Sequence, residues 1–576
     1  MRWAAAFALG IIQSGKEKKE TWGFPNQDTV PWVPELADFS NAVTSLIDGI
    51  KWRRYASNPL QQEMRTLMRD NLTNNPNMIG IADKTRNLYD VPAEDYDRRL
   101  HDHITQDYQK CSLDDFNECS RKDKVIARNL DIADRMFVTM PREAFGTYKD
   151  TKENFRQNQP MRVINPCKPE IGRVSKQMIE KIISEVRKKT GLLQWKNTLS
   201  CLQWFDKIQN KQDYTFIQFD VVDFYGSISK RLLEETLNWM STITNIDQQT
   251  RDILFQARNT FLFYQGEVYA KKKNPEFDVP QGGFDSAEVS EMVGLYILHC
   301  LRDLPVTAAI YRDDGCVLSR LTPFETERVK KRICEIFTGL GLRVKISANQ
   351  KIIDFLDVTL NLTDGTYKPF RKPGDTPVYV HMQSNHPPAV KKNIPQNVEN
   401  RLNMLSCNET VFNQAKPLYQ DALRASGYTH ELKYKKVDIH SLNKRKVGNR
   451  KNRRRSRRTF WFNPPWDGRV ATDVGAKFLR ILDTTIPRDH PLHRIFNRHT
   501  VKVSYRCLAN IKKKISTHNH KIFSGHTAEK KRIQQHHQQH REQWQQRVQR
   551  EQQQQQRRPR GRPRRQPVAP QALFMP

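Results

Sequence analysis

Val306-Thr-Ala-Ala-Ile-Tyr-Arg-Asp-Asp-Gly-Cys-Val-Leu318 reads as strand, tight turn, strand, with Asp313 and Asp314 at the turn and Gly315 to ease it. A hairpin that presents two adjacent carboxylates is electrostatically costly unless positive charge sits beside it, and a divalent metal is the natural solution. Alone, an Asp-Asp-Gly turn is a common solvated feature, so its meaning rests on its surroundings.

Upstream, Tyr214-Thr-Phe-Ile-Gln-Phe-Asp-Val-Val-Asp-Phe-Tyr225 carries apolar Phe216, Ile217, Phe219 and Val221. It predicts a buried strand with Asp220 at its end and Asp223 on the following turn. Between these two stretches, Val279-Pro-Gln-Gly-Gly-Phe-Asp-Ser-Ala-Glu288 leads into Val289 to Leu301. Asp285 and Glu288 make an Asp-x-x-Glu capping signature, and Val289, Met292, Val293, Tyr296 and Cys300 share one helical face. Gly282 and Gly283 allow backbone to approach a ligand closely, and Gln281 can hydrogen-bond it. Downstream, Val329, Ile333, Ile336 and Phe337 form a stripe on a helix over Glu327 to Phe337 that should back the sheet.

The remaining composition points to a polyanion. Ninety-six Lys and Arg against 63 Asp and Glu give a formal net charge of +33. Each phosphate such a chain neutralises releases condensed counterions, so nucleic acid is favoured over an acidic membrane. Hydrophobic residues make up 37% of the 576, enough for a core, while a mean hydropathy of -0.76 marks much of the chain as solvated. The nine cysteines are scattered without a C-x-x-C pair, which reads as a reduced, intracellular protein. The apolar stretch Trp3 to Ile12 is short and runs into Lys16-Glu17-Lys18-Lys19-Glu20, unlike a secretory signal. No segment reads as long enough to span a bilayer.

A strand ending in D-x-x-x-x-Y, a P-Q-G loop before a helix and a Y-x-D-D hairpin together resemble motifs A, B and C of reverse transcriptases. The resemblance is to Penelope-like retroelements in particular, through Phe355-Leu-Asp-Val358, Tyr379-Val-His-Met-Gln-Ser-Asn-His-Pro-Pro388, Trp461-Phe-Asn-Pro-Pro465 and Ile495-Phe-Asn-Arg-His-Thr500. The GIY-YIG endonuclease that full-length members often carry has no counterpart motif here. The resemblance implies an α+β right-hand polymerase with fingers, thumb and an antiparallel palm sheet. It implies RNA-directed DNA synthesis from deoxynucleoside triphosphates on an RNA template and a DNA primer. Two Mg²⁺ ions about 3.5–4 Å apart would stabilise the attacking and the leaving oxygen. Asp220 and Asp313 are expected to bridge them as catalytic metal ligands, with Asp314 beside them.

For the nucleotide, the candidates are Tyr225, Gln281, Gly282, Lys152, Arg162 and Lys351. Tyr225 lies where the family places an aromatic gate against the sugar 2′-hydroxyl, a position usually held by aspartate in RNA-dependent RNA polymerases; the alternative is a ring buried for packing alone. Lys152, in Lys149-Asp-Thr-Lys-Glu-Asn-Phe155, and Arg162, in Met161-Arg-Val-Ile-Asn-Pro166, occupy the place of cationic fingers motifs. A solvated face is the other reading for a lysine in so basic a chain. Lys351 stands near the position of a lysine that protonates pyrophosphate, and Asp357 is expected to be structural.

These readings divide the chain into an extension of unknown role (1–130), fingers and palm (131–345), primer grip and thumb (346–435), a basic linker (436–459), a small module (460–526) and a disordered Gln/Arg-rich tail (527–576). Lys444 to Arg458 can hold phosphates or serve nuclear import, which points to the nucleus. In the tail, Arg560-Gly561-Arg562 is the centre of an AT-hook-like string suited to the narrow minor groove of A/T-rich duplex DNA, or part of a plain polybasic tail. Cys507, His518, His520 and His526 match no common zinc spacing.

Overall fold

The computed structural model describes residues 1–9, 32–54, 58–85, 87–130, 142–166, 171–442, 459–507 and 511–526, with 133 and 169. The basic run from Lys444 to Arg458, the tail from residue 527 and the Arg560-Gly561-Arg562 string lie outside the described residues.

The fold is α+β, a right-hand arrangement built on one five-stranded sheet. Its elements are α1 (Ile171–Thr190), β1 (Leu193–Gln194), β2 (Thr215–Val221), α2 (Lys230–Ser241), α3 (Ser286–Leu301), β3 (Thr307–Tyr311), β4 (Asp314–Ser319), α4 (Pro323–Gly339) and β5 (Val344–Gln350). The strand order is β5-β2-β4-β3-β1, antiparallel except for the β3–β1 pair. From β2 to β5 this is a split β-α-β-β-α-β unit.

Side-chain alternation decides what each face of the sheet does. Ile217, Phe219 and Val221 of β2 and Val317 of β4 point into a core closed by all four helices. Phe216 of β2 and Cys316 and Leu318 of β4 point to the opposite face, where Trp195, Leu202 and Phe355 cover one end. Asp220 and Asp314 share that second face, at the end those apolar residues leave open.

Two local expectations are revised. Gly315 does not ease the turn: it sits in β4, and a Cβ there would stand 1.9 Å from Cζ of Phe219, so the ring of β2 requires it. The positive φ falls on Arg312 (56°) instead. Asp285 precedes α3 without capping it; its carboxylate is buried against the Arg258 guanidinium and the Ser175 hydroxyl, while Glu288 pairs with Lys176 at 2.6 Å. Helix α3 is also buried on more than one face, because α1, α2 and the sheet enclose it. In the α4 stripe Val329, Ile333 and Phe337 are buried and Ile336 is partly buried, with Thr322 and Glu325 forming a capping box.

Packing does not break near residue 130. The strands Met78–Ile81 and Leu88–Val91 and the helix Ala93–Asp107 share a core with the hairpin of Phe145–Tyr148 and Met161–Ile164. The helix Leu113–Asn129 lies near α1 through Ala127, Ile171 and Val174. The first residues belong with the last module: Ala4, Ala5, Ala6 and Phe39 pack with Phe478, Leu482 and Phe496. Helical residues 511–526 return to the fingers, where Asn519 bonds both the N–H and the carbonyl of Ile79 at 2.8 Å. The helix pair α5 (Pro388–Leu405) and α6 (Glu409–Ala425) packs through Leu402, Phe412 and Leu423.

Candidate active site

The open end of the sheet floors a cleft of about 1170 Å³. Across it runs a row of register partners: Lys345 of β5 opposite Asp220 of β2, Asp220 opposite Asp314 of β4, and Asp314 opposite Tyr311 of β3. Asp313 stands at the hairpin tip, where its carbonyl accepts the Val221 N–H at 3.0 Å and ties the tip to the end of β2. The three expected carboxylates are therefore brought together by one hairpin and one neighbouring strand.

Their crowding has an electrostatic signature. Desolvation in the cleft, then the Asp313 charge, raise Asp220 above the usual carboxylate range, opposed by Lys152, Lys345 and Lys372. Desolvation followed by Asp313 and Asp220 pushes Asp314 up to about 6. Asp223, in the left-handed region at φ 48°, is raised chiefly by desolvation and lies across Gly226, where a Cβ would meet its Oδ2 at 2.6 Å. Like charges held this close favour a cation beside them.

Among the described residues, no group of three or more His, Cys, Asp or Glu side chains is arranged to hold a metal ion. Mg²⁺ takes hard oxygen ligands, one or two carboxylates completed by water and phosphate oxygens. The hard oxygen donors of Asp220, Asp313 and Asp314 fit such an ion. The Cys507, His518, His520 and His526 set does not gather: His518 bonds the Asn77 carbonyl at 2.8 Å, His526 faces Asp97 at 3.2 Å, His520 reaches Ser524, and Cys507 is exposed.

Tyr225 lines the cleft and also packs against the helix-side core. Gln281 lines the cleft with a buried Oε1 that has no hydrogen-bond partner, while its backbone carbonyl accepts the Asn165 N–H at 3.0 Å. Gly282, at φ 119°, lines the cleft and lies close against neighbouring backbone: a Cβ there would lie 2.5 Å from the Asn165 carbonyl oxygen. This contact fastens the loop before α3 to the fingers hairpin.

Lys152 and Arg162 both line the cleft, and Arg162 is held by Asp83 at 2.9 Å. Lys351 is corrected: it lies outside the cleft lining, with its Nζ donating to the carbonyls of Gln212 and Tyr214 at 2.7 and 2.8 Å. The strand β5 ends just before it, which carries Lys345 instead to the cleft. Asp357 is tied to Arg401 and Thr198. Lys84, Lys149, Lys345 and Lys372 also line the cleft and were not singled out from the sequence. Strand pairing in β5 could have pointed to Lys345; no local signal marks Lys84 or Lys372.

A family profile described as an animal helix-turn-helix domain matches residues 378–436, the segment of α5 and α6. Among curated proteins no sequence matches the chain. Among solved structures, telomerase from Candida albicans with a TWJ fragment of telomeric RNA is 13% identical with a TM-score of 0.44, covering 79% of this chain and 78% of that one. Apo telomerase from Candida tropicalis is 9% identical with a TM-score of 0.39, covering 81% and 83%. The BmCPV RNA-dependent RNA polymerase at its elongation state is 11% identical with a TM-score of 0.34, covering 64% of this chain and 31% of that one.

Proposed function

We propose that this chain is an RNA-directed DNA polymerase of a Penelope-like retroelement, joining deoxynucleotides to a primer 3′-hydroxyl on an RNA template. The observation that carries the reading is the row of Asp220 and Asp314, with Asp313 at the tip beside them, on the floor of a cleft also lined by Lys149, Lys152, Arg162, Lys345 and Lys372. Bound magnesium would be held by Asp220 and Asp313, with Asp314 adjacent, and would stabilise charge on the attacking and departing oxygens.

The rest of the chemistry is positioning by this chain's own groups. Lys152 and Arg162 give the cleft positive charge for triphosphate oxygens, the guanidinium held in place by Asp83. The unpaired Oε1 of Gln281 accepts a hydrogen bond from whatever enters. Tyr225 offers a ring and no carboxylate at the sugar position, which favours deoxynucleotides over ribonucleotides. The basic run from Lys444 to Arg458 suits nuclear import, and Arg560-Gly561-Arg562 suits A/T-rich duplex DNA. Among the described residues no helix is long and apolar enough to cross a membrane.

Primer extension on poly(rA)–oligo(dT) with Mg²⁺ tests the reading, comparing the parent with its Asp313→Ala, Asp314→Ala variant. DNA synthesis by the parent and none by the variant is expected. No synthesis by either, with tight salt-sensitive nucleic-acid binding kept, points instead to a catalytically inactive nucleic-acid-binding protein derived from such an element.

A further inference from the structure

Residues 460–466 and 501–507 run side by side as a parallel ribbon, Phe460–Phe462 paired with Val501–Val503 and Pro465–Trp466 with Arg506–Cys507. Backbone bonds carry the pairing between the two segments: the Ser504 N–H donates to the Phe462 carbonyl at 2.9 Å, and the Arg506 N–H to the Pro464 carbonyl at 3.0 Å. Alternation then divides the side chains between two faces. Phe460 and Phe462 turn inward, the first edge-on to Phe496 at 4.9 Å and the second stacked on Phe478 at 3.9 Å, with Val501 and Val503 in the same core.

The outward face has a different chemistry. Trp461, Asn463 and Pro465 on one strand and Lys502, Ser504 and Arg506 on the other are all exposed, and none of the six is a carboxylate. Trp461 is 60% exposed and is the register partner of Lys502. Lys502 Nζ donates to the Arg498 carbonyl at 2.8 Å, while Asp483 is held by Arg498 at 2.6 Å. Among the described residues neither Lys502 nor Arg506 makes an ion pair. Four residues of strand separate these two cations, about 13 Å at the usual rise. A ring opposite one cation and two cations spaced along a strand are the parts of a stacking platform: the ring takes the face of a base, and the cations take phosphates along the same backbone.

We propose that this face of the ribbon binds single-stranded RNA, at a surface separate from the cleft, which none of the six residues lines. A single strand is favoured over a duplex because a duplex keeps its base faces stacked on one another and offers none to Trp461. RNA is favoured over DNA because Asn463 and Ser504 stand on the same face as the ring and the cations, and both can donate to and accept from a 2′-hydroxyl. A protein partner is disfavoured because one ring among polar and cationic side chains lacks the apolar centre of a stable protein interface. The surface uses none of the catalytic carboxylates and stands whether or not the chain polymerises.

The test measures fluorescence anisotropy of a short labelled oligo(U) RNA on the full-length protein, with excess unlabelled blunt-ended RNA–DNA hybrid of unrelated sequence present to occupy the cleft. Trp461→Ala is expected to weaken oligo(U) binding by roughly ten- to a hundredfold, and Trp461→Phe to keep most of the affinity because a ring remains. Lys502→Gln and Arg506→Gln should each lower the slope of log affinity against log salt by about 0.7, the loss of one phosphate contact to a single strand. Oligo(dU) should bind the parent more weakly than oligo(U), and Asn463→Ala should narrow that difference. Since these side chains point to solvent, all the variants should melt with the parent, which separates lost binding from lost folding.

Parent-like affinity in Trp461→Ala overturns the surface. Equal binding of oligo(U) and oligo(dU) by the parent overturns its assignment to RNA, and equal competition by polyglutamate overturns its assignment to nucleic acid. Trp461-dependent oligo(U) binding in a parent that extends no primer keeps this surface and removes the polymerase reading. Primer extension by a parent whose oligo(U) binding is indifferent to Trp461 does the reverse.

Discussion

Asp220 and Asp314 are register partners on adjacent antiparallel strands, facing the same open side of the sheet. Their Cβ atoms stand about 5 Å apart by strand geometry, and like charges directly opposite are destabilising. Asp220→Asn removes one charge from this pair. In metal-free buffer the variant should melt above the parent, while polymerisation falls by about a thousandfold or more. Millimolar Mg²⁺ should raise the parent's Tm and leave that of the variant nearly unchanged, because only an ion that binds the native state stabilises it. A variant that melts with the parent under both conditions would mean that the pair carries no such repulsion.

Tyr225 lines the cleft five residues beyond Asp220. Tyr225→Ala is expected to relax the preference for deoxynucleotides by roughly ten- to a hundredfold in kcat/KM ratio, since only a steric contact is removed. Equal discrimination by parent and variant, measured with dTTP and UTP on the same primer, would leave the ring a packing role only.

Gly315 has no room for a methyl group beneath the Phe219 ring, which also meets Phe337 edge-on at 5.1 Å. Gly315→Ala should cost about 2–3 kcal/mol by overpacking. Gly315→Ala combined with Phe219→Leu should cost less than the sum of the two single changes, because the leucine frees the space the methyl needs. Additive losses in denaturant unfolding would contradict the contact.

Burial pushes the Asp123 carboxyl up to about 6, against one opposing hydrogen bond from Gln256 Nε2 at 2.8 Å. The folded state thus holds its proton more tightly than the unfolded chain, whose aspartates titrate near 3.9. The group's contribution to stability is full below about pH 4, is lost as pH rises to about 6, and stays lost above that. Asp123→Asn should be more stable than the parent by about 2 kcal/mol at pH 7, with the difference closing near pH 4. A pH-independent difference would indicate that this carboxyl is already ionised in the fold.

Period-two alternation is a local property, and it was enough to place Phe216, Ile217, Phe219 and Val221 in a buried strand and the Asp-Asp hairpin beside it. Helical periodicity likewise located the buried stripe of α4. What alternation does not state is which strand lies next to which. Register alone put Lys345 opposite Asp220, and the close approach of β2 to β4 assigned Gly315 to a ring contact rather than to the turn. Asp285 shows the same limit: its spacing to Glu288 is that of a cap, yet Arg258 and Ser175 offer a buried carboxylate stronger partners than backbone N–H groups do. Lys84 and Lys372 lie 288 positions apart, 372 less 84, and nothing in either neighbourhood marks a shared cleft. Carboxylates on a short hairpin are legible because chain connectivity holds them together; cations gathered from distant loops are visible only after the fold has closed those loops over the same cleft.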